Sequence, residues 1–181
     1  MIRTRVGYSG GTEANPTYKS LGDHTETLQI DFDPAKITYE QLLDVFWSSH
    51  DPAGWSWEKQ YRNVIFYHNE EQRRSAEKTR DRIAKQTGKK VRTDIEPVST
   101  FYRAEDYHQK FRLQQDHLLT AEYDAIYPDI KSLVDSTAVS RVNGYLGGYG
   151  ASARLSREVT SLGLSEAGQK RLMDIVAGSG R

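Results

Sequence analysis

The chain has 181 residues, of which 25 are basic and 25 acidic, with 36% apolar residues and no cysteine. Balanced charge leaves no electrostatic footprint for nucleic acid or an anionic membrane, and no apolar stretch approaches the length that spans a bilayer. The absence of cysteine excludes a disulfide framework, a thiolate metal site and a thiol nucleophile within these residues.

The opening MIRTRVGYSGG lacks the apolar core of a secretory signal, so a cytoplasmic setting is the default expectation. Ile2 to Tyr8 reads as a strand ending at Ser9-Gly10-Gly11, where glycine can take the positive φ of a sharp reversal. Thr27 to Asp33 alternates Leu28, Ile30 and Phe32 against polar neighbours, the period of a strand with one buried face. Thr38 with Gln41 forms a capping-box signature, and Tyr39, Leu42, Leu43, Phe46 and Trp47 then recur at helical spacing. His50-Asp51-Pro52 ends that helix. Tyr61 to Tyr67 is rich in β-branched and aromatic residues and reads as a buried strand. Asn69, paired with Gln72, caps a charged helix that stops at Gly88 and carries a thin apolar stripe of Ala76, Ile83 and Ala84. Val91 to Glu96 is a further strand closed by Pro97, and Ala104 to Gln115 places Tyr107, Phe111 and Gln114 a turn apart on a helix.

Beyond Leu118 no strand is expected. YDAIYPDIKSLV, ASARLSREVTSL and EAGQKRLMDIVA each predict a short helix, with Asn143 to Gly150 as a glycine-aromatic loop. Strands alternating with helices, followed by helices alone, predict an α/β or α+β sandwich over residues 1–118 and a helical carboxy-terminal extension over 119–181. Five histidines without repeated spacing predict no metal site, and GYLGGYG carries neither the lysine of a phosphate loop nor the dinucleotide fingerprint.

Four segments in order, VGYSGGTEANPTY from Val6, YEQLLDVFWSSHDP from Tyr39, QYRNVIFYHNEEQ from Gln60 and FYRAEDYHQ from Phe101, resemble the peptide methionine sulfoxide reductase A family. The resemblance implies a ferredoxin-like core. Its first strand and helix, with a nucleophilic cysteine in a Gly-Cys-Phe-Trp motif at their junction, would lie upstream of Met1, so the chain is expected to be amino-terminally truncated. Reducing a sulfoxide needs a sulfur nucleophile, a proton for the oxygen and a pocket for the S-methyl group; hydroxyl donors and a protonated carboxyl are the logical partners of the oxygen.

By the resemblance, Tyr18 in Asn-Pro-Thr-Tyr and Tyr61 in Gln-Tyr-Arg match the family's oxygen-binding tyrosines, Glu26 its proton donor and His24 the histidine beside it. Glu58 is the nearest carboxylate to replace an aspartate the family carries before Gln-Tyr-Arg. Trp55 and Trp57 offer apolar faces on which a methyl group could pack. Leu146 stands where some members have a resolving cysteine. The implied substrates are oxidised methionines in proteins or peptides. No bound cofactor is implied, and thioredoxin or another dithiol would be the reductant. Without a thiol nucleophile the chain alone is expected to be inactive. The alternatives are a non-catalytic sulfoxide-binding pseudoenzyme or an interaction scaffold whose function lies in the carboxy-terminal helices.

Overall fold

A computed structural model describes residues 1–179. Five strands, β1 (Arg3–Ser9), β2 (Thr25–Asp31), β3 (Val64–Tyr67), β4 (Asp94–Pro97) and β5 (Tyr102–Arg103), fall into two sheets. One has the order β2-β1-β5, with β1 antiparallel to β5 in the register Gly7 to Arg103 and Tyr8 to Tyr102. The other is the parallel pair β3-β4, in which Ile65 faces Ile95. The mixture of helices and small sheets is α+β, as the alternation of patterns predicts.

The chain divides into two compact units. One comprises Val6–Leu28 and Phe32–Ala104; the other comprises Met1–Arg5, Gln29–Asp31 and the chain from Glu105 onward. In the first, helix α1 (Tyr39–Ser48) starts with the expected capping box: Thr38 Oγ1 accepts from the Gln41 N–H, and Gln41 Oε1 accepts from the Thr38 N–H. Helix α2 (Glu70–Thr87) starts at Asn69 and ends at Gly88, whose φ of 66° is the left-handed cap that glycine allows. The Gln72 side chain accepts from the His68 N–H, one residue earlier than a standard capping box. Leu43, Trp47, Ile65 and Ala76 form the core of this region, and Trp47 donates its Nε1–H to Thr79 Oγ1 at 3.0 Å. The apolar stripe of α2 is thin, as expected: Ala76 is buried and Ile83 packs partly buried against the same core, with Thr79 the other buried residue.

The second unit is mainly helical: α3 (Phe111–Gln114), α4 (His117–Ile126), α5 (Ile130–Asp135), α6 (Thr137–Leu146), α7 (Ser152–Glu158) and α8 (Glu166–Ser179). Tyr123, Leu119, Leu113, Val139, Val142 and Leu172 are fully buried in one apolar cluster. The helical unit takes in the stretch from Glu105 to Leu118 because Leu113 packs in that cluster. The last two residues of the extension expected over 119–181 lie outside the described residues.

Three local expectations are corrected. Ala104 to Gln115 is not one helix: a 3-10 turn over Asp106–His108 and the short α3 are separated by Lys110, whose φ of 49° breaks the ladder. Asn143 to Leu146 is the last turn of α6, because Val139, Val142 and Tyr145 bury one face of a helix that tolerates Gly144. Leu28 does not face a core: β2 is the edge strand of its sheet, and Leu28 is 56% exposed.

Candidate functional site

Tyr18, His24 and Tyr61 lie on three short segments of the first unit, and Glu26 lies at the start of β2. The first is the loop after β1. Gly10 adopts φ 80°, and a Cβ there would lie 2.5 Å from Phe66 Cζ, so the reversal requires glycine. The loop then wraps the Asp23 carboxylate, which accepts from the Thr12 N–H at 2.7 Å and the Glu13 N–H at 3.4 Å. These amides, with Lys59 at 3.4 Å, hold the Asp23 carboxyl well below the usual carboxylate range, Thr12 contributing most. His24 is completely buried. Its Nδ1 accepts from the Gly11 N–H at 3.2 Å and its Nε2–H donates to the Glu13 carbonyl at 2.8 Å, so both ring nitrogens are spent on holding the loop.

Tyr18 stands at the tip of a tight reversal. Thr17 and Ser20 exchange backbone hydrogen bonds of 3.1 and 3.0 Å, leaving Tyr18 and Lys19 as the two turn residues. Pro16 is buried beneath them while Tyr18 is 44% exposed.

The third segment is the 3-10 turn Lys59–Tyr61 before β3. It is anchored on both sides of Tyr61. Gln60 donates from Nε2 to Glu26 Oε1 at 2.7 Å, at the start of β2. Arg62 donates its Nε–H to Thr25 Oγ1 at 2.9 Å and grips both oxygens of Glu96 at 2.5 and 2.8 Å, with Asp94 at 3.1 Å. Buried Thr25 in turn donates to the Lys59 carbonyl at 3.0 Å. The bidentate guanidinium pair is the strong form of this interaction, and it holds the Glu96 carboxyl below its ordinary value.

These anchors hold Tyr61 close enough to Tyr18 for the Tyr18 side chain to act on its phenol. Glu26 and Glu58 lie close enough for their charges to act on the Tyr61 phenol. Partial desolvation first, then Tyr18 and Glu26, raise the Tyr61 phenol above its ordinary value. Tyr18, Tyr61 and Glu26 are therefore neighbours although they come from a loop, a turn and a strand edge. All three are open to solvent, Tyr61 at 53%.

Trp55 and Trp57 line a different cavity. Their ring centroids are 4.0 Å apart, they are 56% and 88% exposed, and they border a shallow cavity of about 290 Å³ lined also by Lys59 and Arg62 but by none of Tyr18, Glu26 and Tyr61. Gln60, Arg62 and Asp23 are the positioning residues that sequence reading missed. Their partners lie 34, 37 and 11 positions away, separations that no local periodicity announces.

The likeness to known proteins extends well beyond these segments. A family model for peptide methionine sulfoxide reductase matches residues 1–148, and the chain belongs to that family. The match continues past Leu118 through α6, so most of the helical unit is also family structure. Among curated relatives, the chain is 38% identical over 171 residues to the peptide methionine sulfoxide reductase of Drosophila melanogaster, covering 91% of this chain and 67% of the relative. It is 42% identical over 151 residues to peptide methionine sulfoxide reductase A5 of Arabidopsis thaliana, covering 80% of this chain and 59% of the relative. Against the reduced form of Mxr1 from Saccharomyces cerevisiae the TM-score is 0.58 at 31% identity, covering 62% of this chain and 70% of that one. The chain thus spans about three-fifths to two-thirds of the two curated relatives' length.

Proposed function

We propose that this chain carries the oxygen-holding side of a methionine sulfoxide site, and that its 181 residues bind a sulfoxide without reducing it. The observation that carries the reading is the gathering of Tyr18, Tyr61 and Glu26, with Tyr18 at the tip of a tight reversal and Glu26 tied to the Tyr61 turn through Gln60. A sulfoxide oxygen bears partial negative charge, and two neutral phenols are fitting donors to it. The two-residue reversal carries Tyr18 at its tip, and Tyr18 acts on the Tyr61 phenol. Glu26 is the proton donor in this account.

Attack at the sulfur needs a thiolate, and the chain has no cysteine. Serine and threonine hydroxyls lack the nucleophilicity for that step. A thioredoxin or other dithiol would likewise find no sulfenic acid or disulfide on these residues to reduce. The substrates are oxidised methionines in peptides or proteins. The direct test is to incubate the purified chain with a methionine sulfoxide peptide and dithiothreitol and follow the peptide by mass. No reduction above the protein-free rate is expected; turnover would overthrow the thiol argument.

A further inference from the structure

The Lys59–Tyr61 turn faces two ways. Tyr61 meets Tyr18, whereas Lys59 and Arg62 enter the wall of the neighbouring cavity with Trp55, Trp57, Arg92 and Asp94. The far wall is fixed to the near one through the backbone, since the Arg92 N–H donates to the Pro52 carbonyl at 2.8 Å and the Gly54 N–H to the Asp51 carbonyl at 2.9 Å.

The charges of this cavity do not balance. Arg62 is taken up by Glu96, Asp94 and Thr25, and Lys59 lies 3.4 Å from Asp23. The one acidic wall residue, Asp94, is itself held by Arg62. Arg92 is exposed and forms no ion pair among the described residues. An unmatched guanidinium thus lines the same cavity as two indoles that are largely open to water. Guanidinium and indole together suit a short peptide stretch with a carboxylate: the planar fork takes the carboxylate, and the indoles cover backbone and side-chain stem.

We propose that this cavity is a docking subsite for an acidic residue of the oxidised polypeptide, close in sequence to the methionine. The proposal rests on placing the sulfoxide at Tyr18 and Tyr61. Because the cavity is lined by Lys59 and Arg62, the residues on either side of the Gln60–Tyr61 pair, the acidic residue lies close in sequence to the methionine. Arg92 is a specificity residue in this scheme; it touches the partner peptide and not the sulfoxide.

The test uses the full chain and four peptides, oxidised or reduced at methionine and carrying either glutamate or lysine two positions away. Trp47 is buried, so the indoles open to acrylamide quenching are Trp55 and Trp57. Binding of the acidic peptides is expected to shield them. The glutamate peptide should bind about threefold to tenfold more tightly than the lysine peptide at low ionic strength, with the ratio shrinking as salt is raised. Arg92→Glu, a surface change whose fold is checked by circular dichroism, should reverse that preference. Trp55→Ala should weaken all four peptides. Two results would overturn the proposal: a charge preference unaltered by Arg92→Glu, or no protection of the indoles by any peptide at millimolar concentration. Failure of the sulfoxide reading looks different. Oxidised and reduced peptides would then bind equally while the Arg92-dependent charge preference persisted.

Discussion

Lys110 lies in the break before α3 with 5% of its surface exposed. Its ammonium donates to the Thr4 carbonyl at 2.7 Å, Thr4 Oγ1 at 2.9 Å and Ser140 Oγ at 2.7 Å, three acceptors without charge. Burial pushes the ammonium down from 10.5 to about 8; Asp135 opposes the shift and Arg5 adds to it. Between those values the unfolded chain still binds a proton that the folded chain has lost, so stability must rise with pH over this window. The full shift corresponds to about 3 kcal/mol, of which about 2 kcal/mol falls between roughly pH 7.5 and 10. Lys110→Met keeps the apolar stem and removes the titration. Urea unfolding followed by far-UV circular dichroism should show wild type gaining about 2 kcal/mol over the variant across that range. The phenols of Tyr39 and Tyr145, pushed up to about 12, act in the opposite direction above their ordinary value but are common to both proteins and cancel. A difference that is flat, or that falls with pH, would refute the account of Lys110 as a buried ammonium held only by neutral acceptors.

Two further substitutions probe how the site is held. Arg62→Ala leaves Glu96 without its bidentate partner and Thr25 without its donor, and should cost about 2–3 kcal/mol in urea unfolding followed by tryptophan fluorescence. That loss should shrink as pH falls and Glu96 protonates, since a carboxyl held below its ordinary value gives stability that is lost on acidification. Gly10→Ala places a Cβ at φ 80° and 2.5 Å from the Phe66 ring; an unfolding free energy lower by at least about 2 kcal/mol is expected, and an unchanged midpoint would show that the loop can move aside.

Local chemistry made much of the fold readable. Thr38, Asn69 and Gly88 mark their helix ends because capping is a contact between near neighbours. Leu28 misled for the opposite reason: alternation along a strand shows which residues share a face, but burial of that face depends on what is layered over it, and β2 is an edge. Lys110 reads as a helical residue until its Nζ partners, Thr4 and Ser140, are known. In the site, Tyr18, Glu26 and Tyr61 were named through their motifs and are gathered by the fold, whereas Gln60 and Arg62, which gather them, act through partners more than thirty positions away. His24 was legible as a residue of interest but not as a buried loop anchor, because its two partners are backbone groups and leave no sequence signature.

We infer that the two phenols hold a sulfoxide oxygen in a chain with no thiol. Calorimetric titration with one peptide in its methionine and methionine sulfoxide forms tests it most directly. The account predicts saturable binding that favours the oxidised form, with Tyr18→Phe and Tyr61→Phe each reducing that preference by about fivefold, the worth of one hydrogen bond. Equal affinity for the two forms, or a preference untouched by either substitution, would contradict it.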